Sequence, residues 1–207
     1  GSNIARQSRY ELIHTTLARF LKTCTLTKLS TEQKERAKAY LEEDSSKTVY
    51  RSDSESLQSS LAIIGNFIMD MLVAFPETSP EHNLLQRLFD EQYVVKDGKA
   101  VLRDKKEVKA DSLQNPNDPD ATYRSKNDQK VQGYVTNLTE TVEEGKPSII
   151  TSVQVETAVF ADCHFLQEAV KNSERVTNST IEELYADGAY QSPDNREFAK
   201  NHNAMQL

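Results

Sequence analysis

Residues 180–199, TIEELYADGAYQSPDNREFA, contain a carboxylate, Asp187, directly after a short run with apolar residues at both ends. Gly188 follows it. The run predicts a strand over residues 181–186. Asp187 would then lie at the carboxyl end of a strand, where open sheets gather catalytic side chains. Gly188 lets the backbone turn away, and we expect Tyr190 to pack beneath the turn. A divalent cation needs several carboxylates from different elements. Spacing alone therefore favours a simple Asp-Gly turn over a metal site.

Two more aspartates, Asp118 and Asp120, come just before the first strand predicted in the second half of the chain. They would either form a turn at the strand entry or play a secondary role in a site. Three cations follow: Arg124, Lys126 and Lys130. The residues alone leave two interpretations open for these cations, which are contact with phosphate groups and protection of an edge strand.

The elements in the first half of the chain are predicted to be helices. Apolar residues recur at helical spacing, with Ser or Pro at several starts. The predicted helices span residues 10–21, 30–43, 57–75 and a stretch from Pro80 onward. The polar residues 44–56 are either a loop or the start of the next helix, and Asp97-Gly98 predicts a hairpin.

The second half changes character. Residues 103–120 are charged and rich in Asn, Asp and Pro, and their composition predicts a linker. Two β-branched runs then predict an antiparallel strand pair, followed by a helix, the strand before Asp187 and a last helix. These elements span residues 131–142, 149–159, 161–171, 181–186 and 194–202. We therefore expect an α+β chain in which a helical region, 1–114, precedes a β-β-α-β-α region, 115–207.

Charge is unevenly distributed along the 207 residues, whose net charge is −7. Residues 1–113 balance 17 Lys and Arg against 17 Asp and Glu, so residues 114–207 carry the whole acidic excess. A nucleic-acid binder usually shows a basic face, and the total charge argues against one here. The first 51 residues, with 10 basic and 6 acidic side chains, leave DNA contact open. An acidic half also suits a site that collects carboxylates around a cation.

The cellular compartment is predicted from what the sequence shows. Cys24 and Cys163 do not form a disulfide framework, and we find neither a secretory signal nor an apolar run of about 20 residues. We expect a cytoplasmic protein with no membrane partner. The chain begins Gly-Ser-Asn without Met, which we interpret as an internal piece of a longer protein.

Four stretches carry a family resemblance: DPDATYRSKNDQKVQGY, NLTETV, IITSVQVETAVFADCHFL and LYADGAYQSPDNREFA. They resemble the DDE transposases of bacterial insertion sequences, in particular the group with a helical insertion inside the catalytic domain. The likeness is most specific over residues 118–199 and weaker over 3–113. It implies that the β-β-α-β-α region is a partial ribonuclease-H-like catalytic domain. Asp187 matches the second family aspartate, in a D-G-x-Y-like motif, and would be a catalytic metal ligand.

The resemblance also implies the reaction. In this family two aspartates and a glutamate hold two Mg²⁺ or Mn²⁺ ions that promote DNA cleavage and strand transfer. The first aspartate would precede Gly1, and the glutamate would follow Leu207. We therefore expect this chain to hold one carboxylate of three, to bind no metal by itself and not to cut DNA. Asp118 and Asp120 would be a structural signature of the group.

The implied partners are transposon-end DNA and a second copy of the protein. Arg6 and Arg9, one helical turn apart, would contact DNA phosphates, and a solvated helix face is the alternative. The alternative function is a noncatalytic helical protein-interaction module with a small α/β appendage. A metal-dependent phosphohydrolase is a weaker third hypothesis, since it needs carboxylates that the sequence does not supply.

Overall fold

The structure is a computed structural model that describes residues 7–126 and 129–202. Its contacts divide the chain into two compact units, Gly1–Gly133 and Tyr134–Leu207. Helices dominate the first unit, and the strands pair antiparallel, so the predicted α+β class is confirmed. These units are defined by contacts within the structure, whereas the predicted division at 114/115 separates an inserted helical region from the catalytic domain. That division stays a prediction.

The first unit is built on helices that begin where local capping signals occur. They are α1 (Arg9–Leu21), α2 (Thr31–Glu42), α3 (Ser45–Arg51), α4 (Ser54–Ala74) and α5 (Pro80–Gln92). Before each helix, one side-chain oxygen accepts a backbone N–H of the first turn; these caps are Ser8, Ser30, Asp44, Asp53 and Ser79. The four predicted helices are confirmed. Helix α3 has no buried residue. Its sequence therefore lacks the apolar periodicity that marks a helix, and residues 44–56 could be predicted only as either a loop or the start of the next helix.

The core of the first unit lies where α1, α4 and α5 pack together. Its most buried side chains include Ile13, Leu17, Ile64, Ile68, Met71, Leu85 and Leu88. Gly65 of α4 lies against the ring of Tyr93, and a Cβ at this position would overlap that ring. The Tyr93 hydroxyl donates to the carbonyl of Leu61 at 2.9 Å. A buried aromatic ring therefore fills the space that the glycine leaves on α4.

A hairpin and a packed segment complete the first unit. Strands β1 (Tyr93–Lys96) and β2 (Lys99–Leu102) are joined by Asp97 and Gly98, both with positive φ, as a tight hairpin turn requires. The prediction that residues 103–120 form a linker is wrong, because this segment packs on the first unit and Leu113 is fully buried in its core. Strand β3 (Thr122–Lys126) pairs antiparallel with the first residues of β4 (Gln129–Glu140).

The second unit places a helix against one face of a strand pair. From Tyr134, β4 pairs antiparallel with β5 (Ile150–Thr157), which confirms the predicted pair, and a bulge interrupts the register between Thr139 and Glu140. A 3₁₀ turn (Asp162–Phe165) leads into α6 (Leu166–Thr177), and α7 (Pro193–Asn201) follows. The hydroxyls of Thr151 and Ser173 lie 2.7 Å apart between β5 and α6. The small core contains Leu166, Val170 and Ala199.

Helix α4 is more apolar than the sequence interpretation allowed. It is 21 residues long, and its most apolar window has a mean hydropathy of 1.5, so length and composition would suit a membrane span. A core helix of a globular unit meets the same criteria, and α4 supplies Ile64, Phe67, Ile68 and Met71 to the core. The expectation of no membrane partner stays a prediction.

Candidate functional site

Asp187 lies on a turn that its own side chain stabilises. It is the residue before a 3₁₀ turn (Gly188–Tyr190), and its Oδ1 accepts the N–H of Ala189 at 2.8 Å. The side chain is exposed. Within the described residues, Oδ2 has no hydrogen-bond partner. The carboxylate therefore forms the Asp-Gly turn expected from spacing alone, and one oxygen stays accessible to a ligand from solvent.

The predicted strand over residues 181–186 is wrong. The segment is irregular, with an isolated bridge at Glu183. The Ile181 N–H donates to the carboxylate of Glu174 at 3.0 Å, where a strand would bond to a neighbouring strand. Adjacent Glu182 and Glu183 also suit solvent better than a sheet interior. Over the described part of residues 115–207, the strands and α-helices consequently follow the order β-β-β-α-α instead of the predicted β-β-α-β-α, and β3 is a strand that the sequence did not predict.

A chain of polar contacts holds the Asp187 turn in place. The hydroxyl of Tyr190 donates to Oδ1 of Asn137 on β4 at 2.6 Å. Asn137 is 6% exposed, and its amide donates to Oε1 of Gln154 on β5 at 2.9 Å. The turn is thus fixed to both strands, and Tyr190 packs beneath it as predicted from the sequence.

Asn195 secures the same turn from the other side. It is 2% exposed at the start of α7. Its amide donates to the carbonyl of Tyr190 at 2.8 Å and to the carbonyl of Cys163 at 2.7 Å. A buried amide with satisfied donors at these distances specifies one arrangement of the backbone. The position of Asp187 is therefore set by buried groups of the second unit.

A cleft of about 400 Å³ opens beside this turn. Asp187 and Tyr190 line it together with the end of β4, including Asn137, Leu138, Thr139 and Glu140. Three carboxylates therefore line one cleft, Glu140, Glu183 and Asp187. Glu183 accepts the hydroxyl of Tyr185 at 2.6 Å, and this hydrogen bond raises the pKa of Tyr185.

The cleft does not form a complete metal centre. In the part of the chain that the structure describes, no three His, Cys, Asp or Glu side chains come close enough to hold an ion. Asp187 can supply one or two oxygens to a divalent cation, which needs six or more ligand atoms. Further ligands would have to come from water, from nucleic acid or from residues outside the described ranges.

The structure places Asp118 and Asp120 in the first unit, in a turn that two arginines hold. Arg19 of α1 and Arg87 of α5 donate to proline carbonyls of the segment 115–120 at 2.7 and 2.8 Å. The N–H of Asp118 closes one turn of this segment at 3.1 Å. This arrangement agrees with the turn interpretation, and the proposed secondary role stays a prediction.

The basic residues predicted to contact DNA lie on different elements. Arg6 is outside the described residues. Arg9 is the first residue of α1, and its guanidinium donates to Oε1 of Gln92 at 2.7 Å and to the Gln92 carbonyl at 3.3 Å. The remaining three lie on the β3–β4 pair: Arg124, Lys126 and Lys130. Their contact with DNA stays a prediction.

Sequence reasoning missed Asn137, Gln154 and Glu140 as parts of the site. Apolar alternation on β4 and β5 would have buried Leu138, Val153 and Val155 and turned Asn137 and Gln154 to solvent. The structure instead exposes these three apolar side chains and buries Asn137. No local signal links Asn137 to a tyrosine 53 positions later.

No protein-family model matches the chain, and neither a curated protein nor a solved structure matches it. The resemblance described in the sequence analysis therefore stays a prediction for this chain.

Proposed function

We propose that the chain is part of a DDE transposase with a ribonuclease-H-like catalytic domain. The parent reaction would be metal-dependent phosphodiester cleavage and strand transfer at transposon ends. Asp187 would be one of three metal-ligating carboxylates. The observation that carries this proposal is the accessible carboxylate of Asp187, held at a cleft by a turn that Tyr190 ties to Asn137.

The local structure supports this role for Asp187. A metal ligand must hold its position when a cation replaces water, and the Tyr190–Asn137 and Asn195 contacts supply that rigidity. Asp187 also lines the cleft of about 400 Å³ beside β4, where a phosphodiester would have to approach the ion. Bound Mg²⁺ or Mn²⁺ would supply Lewis acidity to the phosphorus centre. The residues of this chain would hold that ion through Asp187, and the other two carboxylates would come from elsewhere in the longer protein.

The test uses the protein translated from the full reading frame that contains residues 1–207. We expect Mg²⁺-dependent nicking and joining of DNA that carries the element's own ends. Asp187→Asn should lower the rate at least 100-fold while DNA affinity is unchanged, because a neutral amide is a poor ligand for a hard cation. Asp194→Asn, the same change on the exposed start of α7, should keep the wild-type rate.

Two outcomes would overturn the proposal. One is an Asp187→Asn protein that retains activity within tenfold of wild type. The other is a wild-type protein that binds its DNA ends and never cleaves them with either Mg²⁺ or Mn²⁺. In the second case the noncatalytic interaction module becomes the better hypothesis, favoured by the separate hydrophobic core of the first unit.

A further inference from the structure

A buried histidine lies where the α2–α3 segment, residues 31–51, packs on α1. His14 is 3% exposed, and its ring lies next to those of Tyr10 and Tyr40, with centroids 6.0 Å away in both cases. Its Nε2 lies 3.3 Å from Oε2 of Glu43, which allows an ion pair without hydrogen-bond geometry. Among the described residues, this buried nitrogen therefore has no hydrogen-bond partner, although buried polar groups are normally paired.

Glu43 connects α1 to the joint between α2 and α3. It directly follows α2, and its N–H donates to the carbonyl of Ala39 at 3.0 Å in the last turn of that helix. The next residue, Asp44, caps the start of α3. Oε1 of Glu43 accepts the hydroxyl of Tyr10 on α1 at 2.6 Å, and Oε2 faces His14. One carboxylate therefore links both helices of the segment to α1.

Little apolar surface attaches the α2–α3 segment to the rest of the first unit. Among the residues of α2 and α3, Ala37 alone is buried. Tyr40 packs on Phe67 of α4 with ring centroids 5.3 Å apart, and Leu41 and Val49 are partly buried. Elements with few buried apolar contacts open locally at a lower free energy than the core. The polar contacts with α1 therefore contribute much of the attachment.

The other charged groups near His14 are engaged elsewhere or exposed. Arg19 and Lys22 on α1 and Asp44 at the start of α3 line a cleft of about 480 Å³ beside the histidine. Arg19 pairs with a carboxylate of α5 at 3.5 Å, and Asp44 pairs with a lysine of α3 at 3.0 Å. Lys22 is exposed. Within the described residues, Glu43 is therefore the carboxylate that faces the imidazole.

We propose that His14 and Glu43 form a proton-sensitive contact that attaches the α2–α3 segment to α1 at neutral pH and releases it in acid. At neutral pH the imidazole is uncharged and can stay buried. A proton would place a cation in the interior, beside one carboxylate that already accepts the hydroxyl of Tyr10. Opening of the segment returns this cation to water. The contact involves no residue of the Asp187 turn, so it stands independently of the proposed catalytic role.

The direction of the pH dependence follows from burial. Burial lowers the pKa of His14, and this effect outweighs the Glu43 carboxylate and a hydrogen bond with the backbone of Tyr40, which raise it. The imidazole of an opened segment, with its ordinary pKa of 6.5, therefore binds the proton more readily. The stabilisation of the closed state is present above pH 6.5 and is lost as pH falls from 6.5 toward the lowered pKa.

The test measures amide hydrogen exchange of the 207-residue chain at pH 7.5 and pH 5.0, corrected for the intrinsic effect of pH on exchange. We expect the protection of residues 31–51 to fall by about threefold or more at pH 5.0, while residues 80–92 of α5 keep theirs. Titration of His14 in the wild-type chain, followed by NMR, should give a pKa below 6.5. This second readout needs no variant.

His14→Gln removes the titrating ring, and its residues 31–51 should have the same protection at both pH values. The control is His164→Gln, at an exposed position of the second unit, which should keep the wild-type response. If His14→Gln does not fold, the exchange and titration of the wild-type chain decide. Three results would each overturn the proposal: a His14 pKa at or above 6.5, equal wild-type protection of residues 31–51 at both pH values, or an equal loss of protection in α5.

Discussion

The hydroxyl of Tyr190 lies 2.6 Å from Oδ1 of Asn137 and donates a hydrogen bond to it. This contact joins the turn after Asp187 to the middle of β4 across 53 positions of sequence. Asn137 in turn donates to Gln154 on β5. The carboxylate proposed as a metal ligand is therefore positioned by the strand pair of the second unit.

We expect Tyr190→Phe to loosen the Asp187 turn. The substitution leaves Oδ1 of buried Asn137 without its donor, which costs about 1–3 kcal/mol. Amide hydrogen exchange at residues 187–191 should become faster than in the wild-type chain. Tyr185→Phe removes an exposed hydroxyl that bonds to Glu183, and it should leave that exchange unchanged. Equal exchange in wild type and Tyr190→Phe would show that the contact does not fix the turn.

Gly65→Ala should destabilise the first unit although alanine is the better helix former. A Cβ at residue 65 overlaps the ring of Tyr93, and overpacking of this kind costs about 1–3 kcal/mol, against a propensity gain of about 1 kcal/mol. Chemical denaturation of the chain provides the measurement. Ser59→Ala, on the exposed face of the same helix, is the control and should be neutral or slightly stabilising. A more stable Gly65→Ala chain would contradict the observed packing.

The second unit should lose stability in acid through Glu174. Its carboxylate accepts the N–H of Ile181 and lies 3.0 Å from Nε2 of His202. These contacts, the backbone hydrogen bond first, lower the pKa of Glu174 below its ordinary value of 4.5. The unfolded state thus binds the proton more readily, so the stabilisation is present above pH 4.5 and is lost as pH falls through the lowered pKa.

The pH dependence can be measured by thermal unfolding of the chain between pH 3 and pH 7. Glu174→Gln should have a lower midpoint than wild type at pH 7 and a smaller loss of midpoint below pH 4.5. Glu168→Gln, an exposed position on the same helix, is the control and should follow the wild-type curve. A Glu174→Gln curve parallel to wild type throughout would contradict the predicted role of this carboxylate.

The sequence predicts elements whose signals are local. Helix starts at Ser30 and Ser79 depend on caps within three residues, and the hairpin at Asp97-Gly98 depends on backbone preference at two positions. The strand expected over residues 181–186 depends instead on a neighbouring strand, and apolar composition cannot supply one. Local pattern therefore predicted the first unit well and failed in the segment that leads to Asp187.

Local sequence patterns could not predict which side chains lie around the proposed sites. Asn137 reaches Tyr190 across 53 positions, and Tyr10 reaches Glu43 across 33, only because the chain folds back on itself. Asp187 could be proposed as a metal ligand from the sequence because the D-G-x-Y-like motif that carries the resemblance is contiguous.

Replacement of Asp187 by cysteine tests the central claim most directly, because a thiolate binds Mg²⁺ poorly and softer divalent ions better. The protein from the full reading frame with Asp187→Cys should not cleave transposon-end DNA in Mg²⁺, and Mn²⁺ should restore at least a tenth of the wild-type rate. Asp194→Cys should be active with both ions. An Asp187→Cys enzyme as active as wild type in Mg²⁺ would contradict a metal-ligating role for Asp187.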